Sequence, residues 1–244
     1  DPACGSGAYP MGVLHKMVHV LQKLDPENIH WKELQKKKAI KETQEAYDLG
    51  DKQEREQRLI EINDAFDQDI NDPDYARKLF LIENCIYGVD IQPVAVQISK
   101  LRFFISLVVD QKPTNDASKN RGIRPLPNLE TKFVAANTLV GLDKPKQLLL
   151  RNPDIELLEK QLNEVRHKHF SAKTPRTKEK WRIKDKELRN EIRDLLIYDG
   201  WNTKSANQVA NWDPYNQNTS SDFFDTEWMF GISNGFEIVI ANPP

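Results

Sequence analysis

The first seven residues, Asp1-Pro2-Ala3-Cys4-Gly5-Ser6-Gly7, form a glycine-rich turn that runs straight into an apolar helical repeat at Val13, Leu14, Met17, Val18 and Leu21. Two glycines permit sharp turning of the backbone and close approach of a ligand at the start of a helix. Such a turn is the exit of a strand in an open α/β sheet, where ligands settle at the carboxyl ends of the strands. Alone it suits nucleotide binding or plain packing equally, so the other strand exits must decide.

Three more exits are legible. Residues 84–91 form a β-rich run ending at the acid Asp90, and Pro93 then opens an apolar helix reaching Val109. A carboxylate just past a strand can accept both hydroxyls of a ribose. In a dinucleotide-binding fold that acid follows the glycines by about 20 residues; here a Lys-, Glu- and Gln-rich stretch intervenes, which weakens a dehydrogenase reading. Residues 132–140 are expected to form a further strand and its exit. Gly235 to Ala241 is expected to be a short buried strand that delivers Asn242, Pro243 and Pro244 to its carboxyl end. The exocyclic nitrogen of adenine is a poor nucleophile because its lone pair is delocalised into the ring. The Asn242 side-chain oxygen and the Pro243 carbonyl suit accepting its hydrogens, and prolines stiffen that loop. As a bare tripeptide, Asn-Pro-Pro is usually only a turn.

Composition limits the rest of the chain. With 30% charged and 39% apolar residues over 244 positions, a core can form but long stretches must face solvent. Two regions supply them, a charged helical insertion over 25–80 and a basic helical hairpin over 144–200. In the hairpin, Ile155, Leu158, Leu162, Val165 and His169, then Leu188, Ile192 and Leu195, step by three and four on either side of a joint at Lys173 to Arg176. Between Arg166 and Arg193 there are eleven Lys or Arg against four Asp or Glu. A solvated face and contact with a DNA backbone both explain that excess. Residues 111–128 read as a loop, and 201–235 as an irregular segment anchored by Trp201, Trp212, Phe223, Phe224 and Trp228.

A net charge of -2 argues against nucleic-acid binding over the whole surface but permits a local basic face. Cys4 and Cys85 are too few for a disulfide framework or a Cys-ligated zinc site and fit a reducing interior. With no apolar run of roughly 20 residues and no leader pattern, the expectation is a cytoplasmic protein without membrane contact. His15 and His19 stand one helical turn apart without an evident third ligand, so no metal is expected. His167 and His169 look solvated, and Cys4 looks like a small residue in a tight loop rather than a nucleophile.

Taken together, the motifs resemble the adenine-specific DNA methyltransferases, particularly those within Type IIG restriction-modification enzymes. The family's cofactor loop is matched by Asp1 through Gly7 without a mismatch. Its second motif is matched by Tyr87 to Ile91, Pro93, Ala95, Val96 and Lys100 to Arg102. Its catalytic motif is matched by Phe236 to Pro244, with Glu237 standing for the usual Asp. The resemblance implies an α/β, Rossmann-like S-adenosylmethionine-dependent methyltransferase fold, incomplete, with the two helical insertions within a catalytic domain spanning 1–244. It implies S-adenosylmethionine as cofactor, held by Asp1, Pro2, Ala3, Gly5 and Gly7 at the methionyl part. Asp90 would take the ribose hydroxyls, Ile91 the adenine ring, and Asn137 the place where many relatives carry an acid. Asn242, Pro243 and Pro244 would be catalytic toward a flipped adenine in double-stranded DNA, by direct transfer that needs no metal.

The aromatic residue that follows Pro244 in the family and the strand that precedes Asp1 lie outside the sequence, so the chain alone is expected to bind cofactor poorly and to transfer no methyl group. Methyl transfer to RNA or to protein glutamine, and a non-catalytic nucleic-acid-binding scaffold, are the rival readings. Oligomeric state is open.

Overall fold

The computed structural model describes residues 1–45, 60, 63, 67, 72–124, 127–145 and 152–241. The expected catalytic residues Asn242, Pro243 and Pro244, and much of the charged 25–80 stretch, lie outside the described residues.

Eight α-helices are described: α1 (Ala8–Leu24), α2 (Ile29–Glu45), α3 (Pro73–Asn84), α4 (Pro93–Val108), α5 (Pro153–Ser171), α6 (Pro175–Tyr198), α7 (Thr203–Asn211) and α8 (Thr226–Phe230). Strands β1 (Gly88–Asp90) and β2 (Phe133–Ala135) pair in parallel, Gly88 opposite Phe133 and Asp90 opposite Ala135. Parallel pairing requires a crossover, which α4 begins. The chain divides into two compact units, Asp1–Pro10 with Ile86–Arg102 and Leu126–Pro244, and Met11–Cys85 with Phe103–Pro125.

The first unit holds the strands. Backbone bonds extend the ladder beyond both: Asp1 N donates to Tyr87 O and Val89 N to Asp1 O, so residue 1 runs beside β1 in strand-like register. On the far side of β2, Ala136 bridges in parallel to Ser221. Val89, Val134, Ala136, Phe223, Met229 and Phe230 are buried together around this sheet. A second core fills the α5–α6 hairpin, where Leu162 and Val165 meet Leu188, Ile192 and Leu196, with Trp201, Val209 and Trp228 closing it. The hairpin joint is sharp because Thr174 caps α6 in a reciprocal box with Thr177 and Pro175 occupies its first turn.

In the second unit, Leu14, Val18, Leu81, Ile82, Phe103 and Leu107 are buried. Arg77 is buried as well, bonded to Asp74 and to the carbonyls of Asp25 and Pro26. Trp31 stands edge-on to Phe80 at 4.9 Å. Lys78 bridges Asp110 at 2.7 Å, and burial is the leading cause that raises the Asp110 pKa.

Three sequence expectations are corrected. Gly235 to Ala241 forms no ladder, and Ile238 and Val239 are 76% and 65% exposed. No strand lies beside them among the described residues, so an apolar β-prone run has nothing to bury against. Phe236 is held, its ring packed on Tyr87 and Phe230. The run over 84–91 yields only three strand residues, because α3 continues through Asn84. The segment 201–235 is not irregular throughout: Asn202 caps α7 through Lys204 N and Ser205 N, and Asp225 caps α8 through Glu227 N and Trp228 N.

Candidate active site

The site is assembled where Cys4 to Gly7, the end of β1 and the end of β2 meet within the first unit. Gly5 N donates to Asp90 Oδ2 at 2.9 Å, which joins the glycine turn to the β1 carboxylate across 85 residues of sequence. The other carboxylate oxygen accepts Gln92 N at 2.9 Å and turns the chain into α4. An ionised carboxylate offers about four acceptor sites, so these two bonds leave capacity for hydroxyl donors. Thr138 Oγ1 donates to Pro2 O at 3.2 Å and brings the β2 exit against the same turn.

Each predicted cofactor residue has a definite place. Asp1 Oδ1 accepts Ala3 N at 3.0 Å, a local side-chain turn that sets the path of Pro2. Gly5 and Gly7 have positive φ, +52° and +83°. A Cβ on Gly5 would meet nothing within 4 Å, so the turn faces open space there, whereas one on Gly7 would lie 2.7 Å from Ser99 Oγ. Ile91 is 59% exposed beside Asp90, an apolar surface available to a ring. Asn137 turns its Oδ1 back to its own Leu139 N at 3.1 Å, and Leu139 is left largely exposed. Gly5, Asp90, Pro2 and the 137–139 turn are thus brought together, and the 242–244 tripeptide is outside the described residues.

Two residues missed at the sequence level shape this turn. Ser99, fully buried on α4, donates to Gly5 O at 3.0 Å and packs on Gly7. Thr138 is the other. A small polar residue at the sixth position after Pro93 in an otherwise apolar helix was the available signal for Ser99. Cys4 is buried, its Sγ 3.9 Å from Ser99 Oγ, and burial pushes its pKa up to about 11. The thiol therefore stays protonated and is no nucleophile near neutral pH. Lys100, one residue after Ser99, is also buried, and that burial lowers its pKa against the opposing pull of Glu130.

Around the hairpin, sequence reasoning took ionic residues to be solvated that the structure buries. Asp185 accepts Arg166 Nε at 2.9 Å and Arg189 Nε at 2.6 Å. Burial alone would raise the Asp185 pKa; the two guanidiniums outweigh it and hold the carboxyl below its ordinary range. Arg166 also binds the carbonyl of Trp228, and Arg189 those of Ala210 and Trp212. Tyr215 OH donates to Asp185 at 3.2 Å. His169, expected in solvent, is fully buried; burial first, with Arg182 and Lys178, depresses its pKa to about 4. No cluster of three metal-binding side chains occurs among the described residues, where no helix is long and apolar enough to cross a membrane.

A carboxylate at the end of β1 closes on a glycine turn, and comparison with known proteins gives the class. Residues 84–244 match the family described as Eco57I restriction-modification methylase. The chain belongs to that family, and membership implies a methyltransferase fold. A protein of Methanocaldococcus jannaschii that carries the name of a type II restriction enzyme and methyltransferase is 40% identical over 67 residues. That stretch is 28% of this chain and 5% of the relative's length. No solved structure matches the chain.

Proposed function

We propose that this chain is the methyl-transferring part of a restriction-modification enzyme that acts on the exocyclic N6 amine of adenine in DNA, with S-adenosylmethionine as the methyl donor. The observation that carries the reading is the 2.9 Å bond from Gly5 N to Asp90 Oδ2, in a chain belonging to a restriction-modification methylase family. The residues fit the cofactor: the turn is open in front of Gly5, Asp90 keeps acceptor capacity, and Ile91 offers an exposed apolar face. When bound, the cofactor supplies an electrophilic methyl group on a sulfonium.

Within this reading, Asp1 to Gly7 border the methionyl part, Asp90 receives the ribose hydroxyls, Ile91 covers the adenine ring and Asn137 stands near its edge. Asn242 Oδ1 and the Pro243 carbonyl accept the two hydrogens of the target amine. That makes the nitrogen more tetrahedral and frees its lone pair, with Pro244 stiffening the loop. The target base leaves the duplex to reach them. The parallel β1–β2 pair, extended by Asp1 and Ser221, supports a Rossmann-like sheet; in this reading 25–80 and 144–200 are helical insertions in one catalytic domain of a cytoplasmic enzyme.

The test is Asn242→Ala in the intact restriction-modification enzyme that contains this chain, assayed with tritiated S-adenosylmethionine and duplex DNA. A loss of transfer of at least about a hundredfold, with DNA binding retained, is expected. Undiminished methylation of adenine by the variant would overturn the assignment, and methylation confined to RNA or to glutamine would replace the substrate.

A further inference from the structure

Between Lys168 and Lys186 the chain carries eight Lys or Arg against two acids, in a protein whose net charge is -2, so the remaining residues are markedly acidic. One of those two acids, Asp185, is buried between Arg166 and Arg189 and offers nothing to the surface. Three of the cations share one exposed side of α6. Arg176, Lys180 and Lys184 are exposed and recur every fourth residue along α6, so they form one stripe with a rise of about 6 Å between successive positions. Lys184 is within 3.3 Å of Glu187, but that pair is exposed and holds Lys184 only weakly. At the same end, Lys168 and Lys180 both lie over the Trp181 ring, at 5.4 and 4.5 Å.

The stripe stands on a fixed support. The Arg166–Asp185–Arg189 cluster ties both helices of the hairpin to carbonyls at 210, 212 and 228, and the apolar core around Leu188 and Ile192 fills the space between them. A flexible charged tail would lose conformational freedom whenever its cations met a polyanion; a braced helix holds them ready. A row of cations on a braced helix is complementary in charge to a duplex, whose phosphates place one negative charge per about 1.7 Å of axis.

We propose that the face of α6 centred on Arg176, Lys180 and Lys184 is a docking surface for the phosphate backbone of double-stranded DNA. The proposal rests on the methyltransferase reading for its biological context, while its physical test is independent of turnover. Contacts of this type anchor the duplex without reading sequence.

The experiment compares the intact enzyme that contains this chain, the parent, with a triple variant, Arg176→Gln, Lys180→Gln and Lys184→Gln, by fluorescence anisotropy on a short random-sequence duplex between 50 and 300 mM salt. Gln retains helix propensity at exposed positions. A control removes the same charge elsewhere, by Lys16→Gln, Lys23→Gln and Lys204→Gln, all exposed. We expect the test variant to bind at least about tenfold more weakly at 150 mM salt, with the log–log salt slope reduced by about 0.9 per lost contact. The control should keep nearly the parent's slope, and S-adenosylmethionine affinity should be unchanged in both. If the triple variant were to unfold, the three single substitutions carry the test, each expected to reduce the slope by about 0.9. Equal losses in the two triple variants, no loss in the test variant, or a loss seen only with single-stranded RNA would overturn the proposal. A parent that binds duplex DNA with a steep slope yet never transfers a methyl group would sink the methyltransferase reading and leave this surface standing. A parent that methylates, with a test variant of unaltered slope, would do the reverse.

Discussion

Ser99 shows how much of the candidate site depends on a residue outside its motifs. Its hydroxyl donates to the Gly5 carbonyl, and Gly5 N–H in turn donates to Asp90, so one hydroxyl on α4 aligns the peptide that connects turn and carboxylate. Replacing Ser99 by Ala deletes one buried bond, a change of about 1 kcal/mol. Under the proposed function, the S-adenosylmethionine affinity of the intact enzyme should fall on the order of fivefold, measured by titration calorimetry, with DNA affinity unaffected. Unchanged cofactor affinity would show that the turn holds its shape without this hydroxyl. Gly5, Gly7 and Asp90 were legible from sequence because special backbone and a lone acid at a strand exit are local signals. Ser99 and Thr138 were not, since their partners lie 94 and 136 residues away.

Among the elements, those with strong punctuation were readable and those whose burial depends on distant neighbours were not. Helices α5 and α6 follow their heptad-like apolar spacing, and β1 and β2 end where Asp90 and Asn137 lead out of them. Ile238 and Val239 look like strand core in one dimension, but burial needs an adjoining strand, which no local pattern supplies. Helices α7 and α8 escaped because their polar caps, Asn202 and Asp225, resemble loop residues when their hydrogen bonds are unseen. Arg166, Asp185 and Arg189 likewise look like ordinary surface charges. Asp185→Asn removes the charge that two buried guanidiniums share, and breaking such a pair costs about 3–5 kcal/mol. Urea unfolding should show that loss with the slope of the transition retained; a loss under about 1 kcal/mol would mean that the carbonyls of 210, 212 and 228 satisfy both arginines alone.

For the whole molecule, the buried imidazole of His169 predicts how stability responds to acid. Its pKa is about 4 in the folded chain against 6.5 for an ordinary histidine, with burial as the leading cause. A group depressed on folding contributes fully above its unfolded value, and the contribution is lost as pH falls from about 6.5 toward 4. Between pH 7 and pH 5 this group alone should remove on the order of 1–2 kcal/mol, and His169→Gln should flatten that part of the curve of melting temperature against pH. An equally steep curve in the variant would assign the acid response to other groups. At neutral pH a different lever is available. Asp90 fastens residue 5 to residue 92 through two backbone amides, so any molecule that seats its hydroxyls on the same carboxylate also clasps the chain shut across nearly ninety positions. Occupancy then registers as resistance to heating, and hydroxyl-bearing ligands can be ranked by melting alone, without any assay of turnover.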